Sequence, residues 1–524
     1  MDTLSPPSTS IAAGALLAGV IVLLFSNSRL VRKRRLPPGP RRLPLIGNAH
    51  QMPKRDVWSV FADWGKIYGD IVHVDILGKP LVILNSSKVA RDLLDKRSVH
   101  YDESFTLLPY GENWRKQRRI IAQEFSQNMI SRYHTLQEKE AAILVRHLIA
   151  HPSELFSQIK LRIGTIIIRV AYGYYVKSSD DPFLTTPLAA MANFAIASTP
   201  GNFLVDFIPA RQYIFRFLIL VCSIVTDLMV YGHKVKHIPR WMPGSGFLKT
   251  AEEWHKILWD ATWNNFEWSK KNLDTGKALL PNLCATYLRE EGDAMSENDE
   301  MKLVWAAATI MGGGLDTNMS TALTFYMAMI LHPHIQAKAQ AELDTVVGTD
   351  RLPCIADMQR LPYIRSIMTE VFRWSPGLPL SIPHATSQDD VYEGYDIPKG
   401  AIIMPNVWGM LHNPDDYPNP MDFTPERFNM LDSEMKKVTD LVFGFGRRVC
   451  PGQYFAEGTF FAIVATTLAT CDILPGLDEN GNEVLPKYAY TPGTIMFPEP
   501  FTMRIRPRSE HAKMLLSEVP STIE

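Results

Sequence analysis

Phe443-Gly444-Phe445-Gly446-Arg447-Arg448-Val449-Cys450-Pro451-Gly452 places three glycines, two arginines and a cysteine within ten residues, and an apolar run from Phe455 to Leu468 with helical character follows it. A cysteine thiolate in such a loop needs compensation for its charge. Metal coordination, the backbone N–H groups of a glycine-rich turn and the N-terminus of the next helix can each supply it. Glycine also lets backbone approach a flat macrocycle closely, and a neighbouring arginine can hold an anionic carboxylate of that group. The competing reading is a buried, inert thiol, the usual state of a lone cysteine.

Moving outward, Glu370-Val371-Phe372-Arg373 sets an acid and a base three residues apart on one helix face, a spacing that serves a surface ion pair or a buried one equally. Pro425-Glu426-Arg427-Phe428 adds a further arginine, and Trp114 with Arg118 stands upstream. From Leu303 to Leu331 there is one charge, Asp316. That run is long enough to cross a bilayer, but Gly312-Gly313-Gly314 and then Asp316-Thr317-Asn318 lie at its middle. The pattern predicts a buried helix, interrupted by glycines, lining a cavity. Read alone, its Thr bonds back to its own helix and its Asp is salt-bridged at a kink.

Together these stretches resemble the cytochrome P450 family. Its haem signature, F-x-x-G-x-R-x-C-x-G, is matched by Phe443, Gly446, Arg448, Cys450 and Gly452; E-x-x-R by Glu370 and Arg373; P-E-R-F by Arg427 and its neighbours; W-x-x-x-R by Trp114 and Arg118. Gly313-Gly314-Leu315-Asp316-Thr317 resembles the oxygen-activation motif. The resemblance implies that Cys450 ligates the iron of haem b, that Arg448, Arg118 and His384 meet the haem propionates, and that Glu370, Arg373 and Arg427 form a structural triad behind the haem. It further implies that Thr317 hydrogen-bonds to bound O2 while Asp316 feeds protons. Motif position makes Gly313, Thr317, Leu378 to Ile382 and the Thr491 to Phe497 turn candidates to line the substrate pocket. The stretch from Pro383 to Trp408 is most similar to fungal secondary-metabolism members.

Composition agrees with one large catalytic body. The chain has 524 residues, 46% hydrophobic and 21% charged, and neither repeats nor a Gly/Ser linker divides it. With 54 basic against 55 acidic residues it lacks the field expected of a nucleic-acid binder. Cys222, Cys284, Cys354, Cys450 and Cys471 are dispersed without CxxC spacing, which excludes a disulfide framework or a structural zinc site and fits a reducing compartment. Ile71 to Leu84, with Gly78-Lys79 at its centre, predicts a hairpin; Gln117–Leu148, Glu252–Asn272, Met301–His332 and His334–Val347 predict helices; Pro376 to Phe428 predicts irregular chain. The fold class is mainly α with small β-sheets, the cytochrome P450 fold preceded by one transmembrane helix.

Residues 1–28 form the expected anchor: Thr3 to Ser28 carries no charge and Ile11 to Phe25 is unbroken apolar and small. Arg29, Arg32, Lys33, Arg34 and Arg35 follow the run rather than preceding it, which distinguishes an anchor from a cleaved signal and leaves the body cytosolic. Residues 29–42, with Leu36-Pro37-Pro38-Gly39-Pro40, form a hinge, and 43–524 the catalytic domain. The predicted location is the endoplasmic reticulum membrane, single-pass.

Two stretches depart from the family pattern. The chain between Lys96 and Tyr110 is about a dozen residues short of expectation, and Tyr213 to Tyr231 is an extra hydrophobic segment. The expected activity is insertion of one atom of O2 into a lipophilic small molecule. The chain has no dinucleotide fingerprint, so its electrons are expected from outside, and the resemblance implies an NADPH-dependent reductase as their source. Arg115, Lys116, Arg119 and Arg447 are candidate docking charges for it. The alternatives are a haem-thiolate isomerase or dehydratase, which needs no Asp316-Thr317 pair, and a catalytically impaired haem-binding membrane protein, suggested by the two departures.

Overall fold

The computed structural model describes residues 34–44, 46–94, 108, 111–198, 246–291 and 295–520. The helices are α1 (Val57–Tyr68), α2 (Ser87–Leu94), α3 (Glu112–Glu124), α4 (His134–Ala150), α5 (Leu155–Tyr172), α6 (Pro182–Ser198), α7 (Gly246–Asn272), α8 (Leu283–Glu291), α9 (Glu297–Leu331), α10 (Pro333–Val346), α11 (Pro362–Trp374), α12 (Val407–Leu411), α13 (Asp432–Val442), α14 (Gln453–Thr470) and α15 (Glu510–Glu518). The strands are β1 (Ile71–Ile76), β2 (Lys79–Leu84), β3 (His384–Ala385), β4 (Asp390–Tyr392), β5 (Tyr395–Ile397), β6 (Ile402–Pro405), β7 (Cys471–Leu477), β8 (Glu483–Val484) and β9 (Met503–Pro507).

The helices surround α9, which at 35 residues is about 52 Å long. Ser296 caps it, its side chain accepting from the Asp299 N–H, and Glu297, Asp299 and Glu300 complement the positive end of the helix dipole. Pro333 begins the next helix, so α9 stops at the preceding residues. The glycines do not interrupt it. They serve close approach: a Cβ on Gly314 would lie 2.7 Å from Ile167 Cδ1 of α5, and one on Gly312 2.9 Å from Met191 Sδ of α6. Backbone hydrogen bonding survives at glycine, and tight packing offsets its entropic cost.

The long helix expected over Gln117–Leu148 is two helices with a 3-10 turn between them at Ile130–Tyr133. Ser126 stands at the break, its hydroxyl donating to the Gln123 carbonyl. The hairpin forms as expected, with Ile71 opposite Leu84 and Ile76 opposite Lys79. Its sheet runs β1-β2-β6-β3, with β6 parallel to β2; β4-β5 and β8-β7-β9 make the other sheets of the described residues. The irregular stretch after Pro376 therefore contains β3 to β6, strands too short to leave a clear alternation.

One hydrophobic core joins the helices, and a smaller one (Phe61, Val72, Val74, Leu81, Ile83, Met404) lies beneath the first sheet. The described part of the expected hinge is fastened to that region. Arg34 pairs with Asp389 at 3.0 Å, the Arg35 N–H donates to Asp396 at 2.6 Å, and the Pro38 carbonyl accepts from the His73 N–H at 2.8 Å. The expected anchor at 1–28, most of the shortened stretch and the hydrophobic segment 213–231 lie outside the described residues. Among the described residues no helix is long and apolar enough to cross a membrane, and Cys284, Cys354, Cys450 and Cys471 are all free.

Candidate active site

The cysteine loop is built from backbone. The Cys450 N–H donates to the Phe443 carbonyl at 2.7 Å, closing the loop. Gly444 (φ +91°) and Gly446 (φ +53°) take left-handed conformations that a side chain would strain. Phe443 stacks edge-on against Phe372 of α11, ring centroids 5.5 Å apart, so the loop rests on the helix carrying Glu370 and Arg373. Gly452 then leads into α14. A Cβ on Gly452 would come within 4.0 Å of Cys450 Sγ, so a bare backbone lies beside the sulfur.

The thiol is accessible, yet surrounding protein desolvates it, as expected of a side chain on the wall of an interior pocket. Burial pushes its pKa up; the Gly452 amide and the Arg118 guanidinium oppose that rise without cancelling it. Protein groups alone therefore favour the protonated thiol, and holding it as a thiolate would need a further positive charge of the kind a coordinating metal supplies.

Around this loop the cationic candidates converge. Arg118 Nη1 donates to the Val449 carbonyl at 2.6 Å. Arg448 Nη2 donates to the Leu108 carbonyl at 2.7 Å, and its guanidinium lies over the Trp114 ring, 5.2 Å from the centroid. Burial lowers the pKa of both arginines, and the proximity of Arg118 lowers that of Arg448 further. Two half-buried guanidinium groups that repel each other form a site for an anion. His384 is near enough to Arg448 to feel its charge; burial first, and that charge second, push it down to about 4. It is thus neutral at physiological pH and offers a hydrogen bond rather than a charge. The donor set of thiol, two guanidinium groups, indole and imidazole fits a metal-bearing macrocycle with acidic side arms.

Glu370 joins Arg373 and Arg427. Glu370 and Arg373 are completely buried. Arg373 donates from Nε and Nη2 to Glu370 (2.8 and 2.9 Å) and from its remaining N–H groups to the carbonyls of Leu411, Pro420 and Asp422. Arg427 Nε and the Thr424 N–H also donate to Glu370 Oε1, at 3.0 and 2.8 Å. Every guanidinium proton of Arg373 is used, which is what a buried cation requires.

On α9, Gly313 is accessible and a Cβ there would meet nothing within 4 Å, so the helix is open on that face. Thr317, one turn on, donates to the Gly313 carbonyl at 2.7 Å. Asp316 makes no ion pair within the described residues; burial lifts its carboxyl to about 6, against the opposing charge of Lys160. The back-bonded threonine matches the structural alternative, whereas the salt bridge of that alternative is absent among the described residues. Sequence reasoning missed Ser320, whose Oγ donates to the Met496 carbonyl at 2.5 Å and ties α9 to the Thr491–Phe497 turn. A fully buried serine in an apolar helix was the available signal. Of the candidate docking charges, Lys116 is engaged with Asp299 at 2.6 Å, while Arg115, Arg119 and Arg447 are exposed.

Fold and donor set define a class: a mainly helical protein with a cysteine loop and an anion-binding set of cations gathered beside its central helix. The family model for cytochrome P450 matches residues 37–498. Cytochrome P450 monooxygenase 105 of Postia placenta is 47% identical over 98% of both chains, and cytochrome P450 monooxygenase claR of Ampulloclitocybe clavipes is 36% identical over 95% of this chain and 91% of its own. A zebra fish cytochrome P450 solved with abiraterone has the same fold, with a TM-score of 0.64 at 23% identity, covering 86% of this chain and all of that one. The chain belongs to the cytochrome P450 family. It is a cytochrome P450 monooxygenase, and the family implies haem with a cysteine thiolate and O2.

Proposed function

We propose that Cys450 is the axial thiolate and that this enzyme oxidises a lipophilic small molecule of secondary metabolism, drawing electrons from an NADPH-dependent reductase at the endoplasmic reticulum membrane. The observation that carries the reading is the bond from Arg118 to the Val449 carbonyl beside Cys450, with Arg448 of the same loop next to it and bonded to the Leu108 carbonyl. Haem bound there would supply the redox chemistry that activates O2. Arg118, Arg448 and Trp114, with neutral His384, would hold the propionates; Phe443, Gly446 and Gly452 shape the loop.

Asp316 is suited to move protons, because a carboxyl pushed up to about 6 is partly protonated near neutral pH. The Thr317 hydroxyl, bonded to Gly313 at rest, sits one turn along the open face and can rotate to pass or hold a proton there. Residues 1–28 would anchor the chain, 29–42 connect it, and 43–524 form the catalytic domain. The fungal relatives and the similarity of the Pro383–Trp408 stretch support secondary metabolism.

The test uses the full chain in membranes with a NADPH-dependent reductase. Product formed only with NADPH and O2 supports the proposal. Rearrangement of an organic peroxide without NADPH, and no other turnover, would replace it with an isomerase.

A further inference from the structure

Lys116 stands on the edge of α3. At about 100° of turn per residue it falls between the exposed face of Arg115 and Arg119 and the buried face of Trp114, Gln117 and Ile120. Its ammonium reaches the first turn of α9 and donates to Asp299 Oδ1 at 2.6 Å, with 28% of the lysine side chain and 24% of the aspartate side chain exposed. Lys302, buried one turn along α9, donates to the same oxygen at 3.1 Å, and the Asp299 N–H donates to Ser296 Oγ at 3.2 Å. Asp299 is thus fixed through its backbone by the helix cap and through its carboxylate by two cations. Those two ammonium groups hold its carboxyl down to about 2, so it is charged at any working pH.

The basic face that Lys116 borders lies beside the cysteine loop. Arg118 bonds to Val449 and Arg448 lies over Trp114, so the loop with its exposed Arg447 is held against α3, next to exposed Arg115 and Arg119. Such a cluster attracts an acidic surface. Lys116 belongs to it by position, yet a carboxylate of its own chain already holds it. Glu300, the residue after Asp299, pairs instead with Lys270 of α7 at 2.7 Å.

We infer that Asp299 masks Lys116 from an acidic redox partner, so that the first turn of α9 sets how tightly that partner docks on α3. This rests on the proposed reductase reading and adds an internal competitor to it. A paired ammonium and carboxylate are nearly neutral at a distance and add little to the attracting field. At contact, a partner carboxylate must displace Asp299 to bond Lys116. The exchange does not strand Asp299, because Lys302 stays bonded to the same oxygen.

The test is the Kd between the full-length holoenzyme and an NADPH-dependent reductase, both in lipid nanodiscs, over a range of salt. Asp299→Asn should tighten binding about threefold at low salt and steepen its salt dependence, as one more exposed charge pair would. Adding Lys116→Gln should return the Kd to the wild-type value. Asp299→Asn combined with Lys302→Gln keeps the wild-type net charge and leaves no ammonium buried without its acid. It should show the same threefold gain, and it serves if Asp299→Asn does not fold. Glu300→Gln removes a neighbouring charge without releasing Lys116 and should change the Kd by less than about 1.5-fold. Weaker or unchanged binding in the Asp299 variants would overturn the mask. So would a gain that survives Lys116→Gln, or an equal gain in Glu300→Gln. A wild-type protein that binds no reductase even at low salt would instead overturn the redox-partner reading.

Discussion

Arg118 of α3 donates from Nη1 to the carbonyl of Val449 at 2.6 Å, which bonds a guanidinium to the residue directly before Cys450. The arginine therefore holds the loop and faces the anion site at once. Arg118→Ala should lower haem content more than protein yield, because it removes a loop tether and one of two cations. The ratio of haem absorbance to total protein measures this. Arg118→Lys should recover only part of the loss, since an ammonium lacks the planar fork.

Cys450→Ala removes the sulfur but leaves the loop-closing bond, which runs between backbone atoms of Cys450 and Phe443. The variant should fold and lose the strongly red-shifted Soret band of the reduced, CO-bound protein. An unchanged band would exclude Cys450 as the ligand.

Glu370→Ala would strand the fully buried Arg373 without its carboxylate. Removing one partner of a buried pair costs about 3–5 kcal/mol, enough to unfold many domains. Arg427→Ala should cost about 1–3 kcal/mol, since Arg427 lies nearer the surface and Glu370 keeps Arg373 and the Thr424 N–H. Denaturant unfolding of the two variants should show that order.

Thr317→Ala forfeits only a local bond to Gly313, so Tm should change little. Product formed per NADPH consumed should fall while the CO-bound spectrum is retained. Unimpaired coupling would remove Thr317 from the proposed proton path.

Asp316 predicts a pH dependence of known sign. Burial raises its carboxyl from an ordinary 3.8 to about 6, so the folded state binds the proton more tightly than the unfolded state does. The associated stability is complete below about pH 3.8 and is lost as pH rises through about 6. Asp316→Asn, which stays neutral, should therefore gain on the wild type in Tm between pH 4 and 7. A constant difference across that window would show that the carboxyl is not shifted upward.

The local features were legible because they depend on neighbours in the chain. The cysteine loop is a matter of glycines at left-handed positions, the Glu370–Arg373 spacing is one turn of helix, and α14 is a long apolar run whose pattern no short-range signal contradicts. Near Ser126 the periodic pattern runs on through a 3-10 turn, so one expected helix became two. The glycines of α9 misled for a related reason: their effect on a helix depends on what packs against them, and here it is Ile167 and Met191.

By itself, the sequence determined the helix periods, the loop around Cys450 and the family resemblance, since these follow from covalent order and backbone preference. Tertiary structure decided what those parts do together. It bonds Arg118 to Val449 and lays Arg448 over Trp114, and it buries His384 near Arg448 so that the imidazole stays neutral. It completes the coordination of Glu370 from Thr424 and Arg427. Desolvation and hydrogen-bond geometry depend on distances through space between residues hundreds of positions apart, and only the packed chain sets those distances.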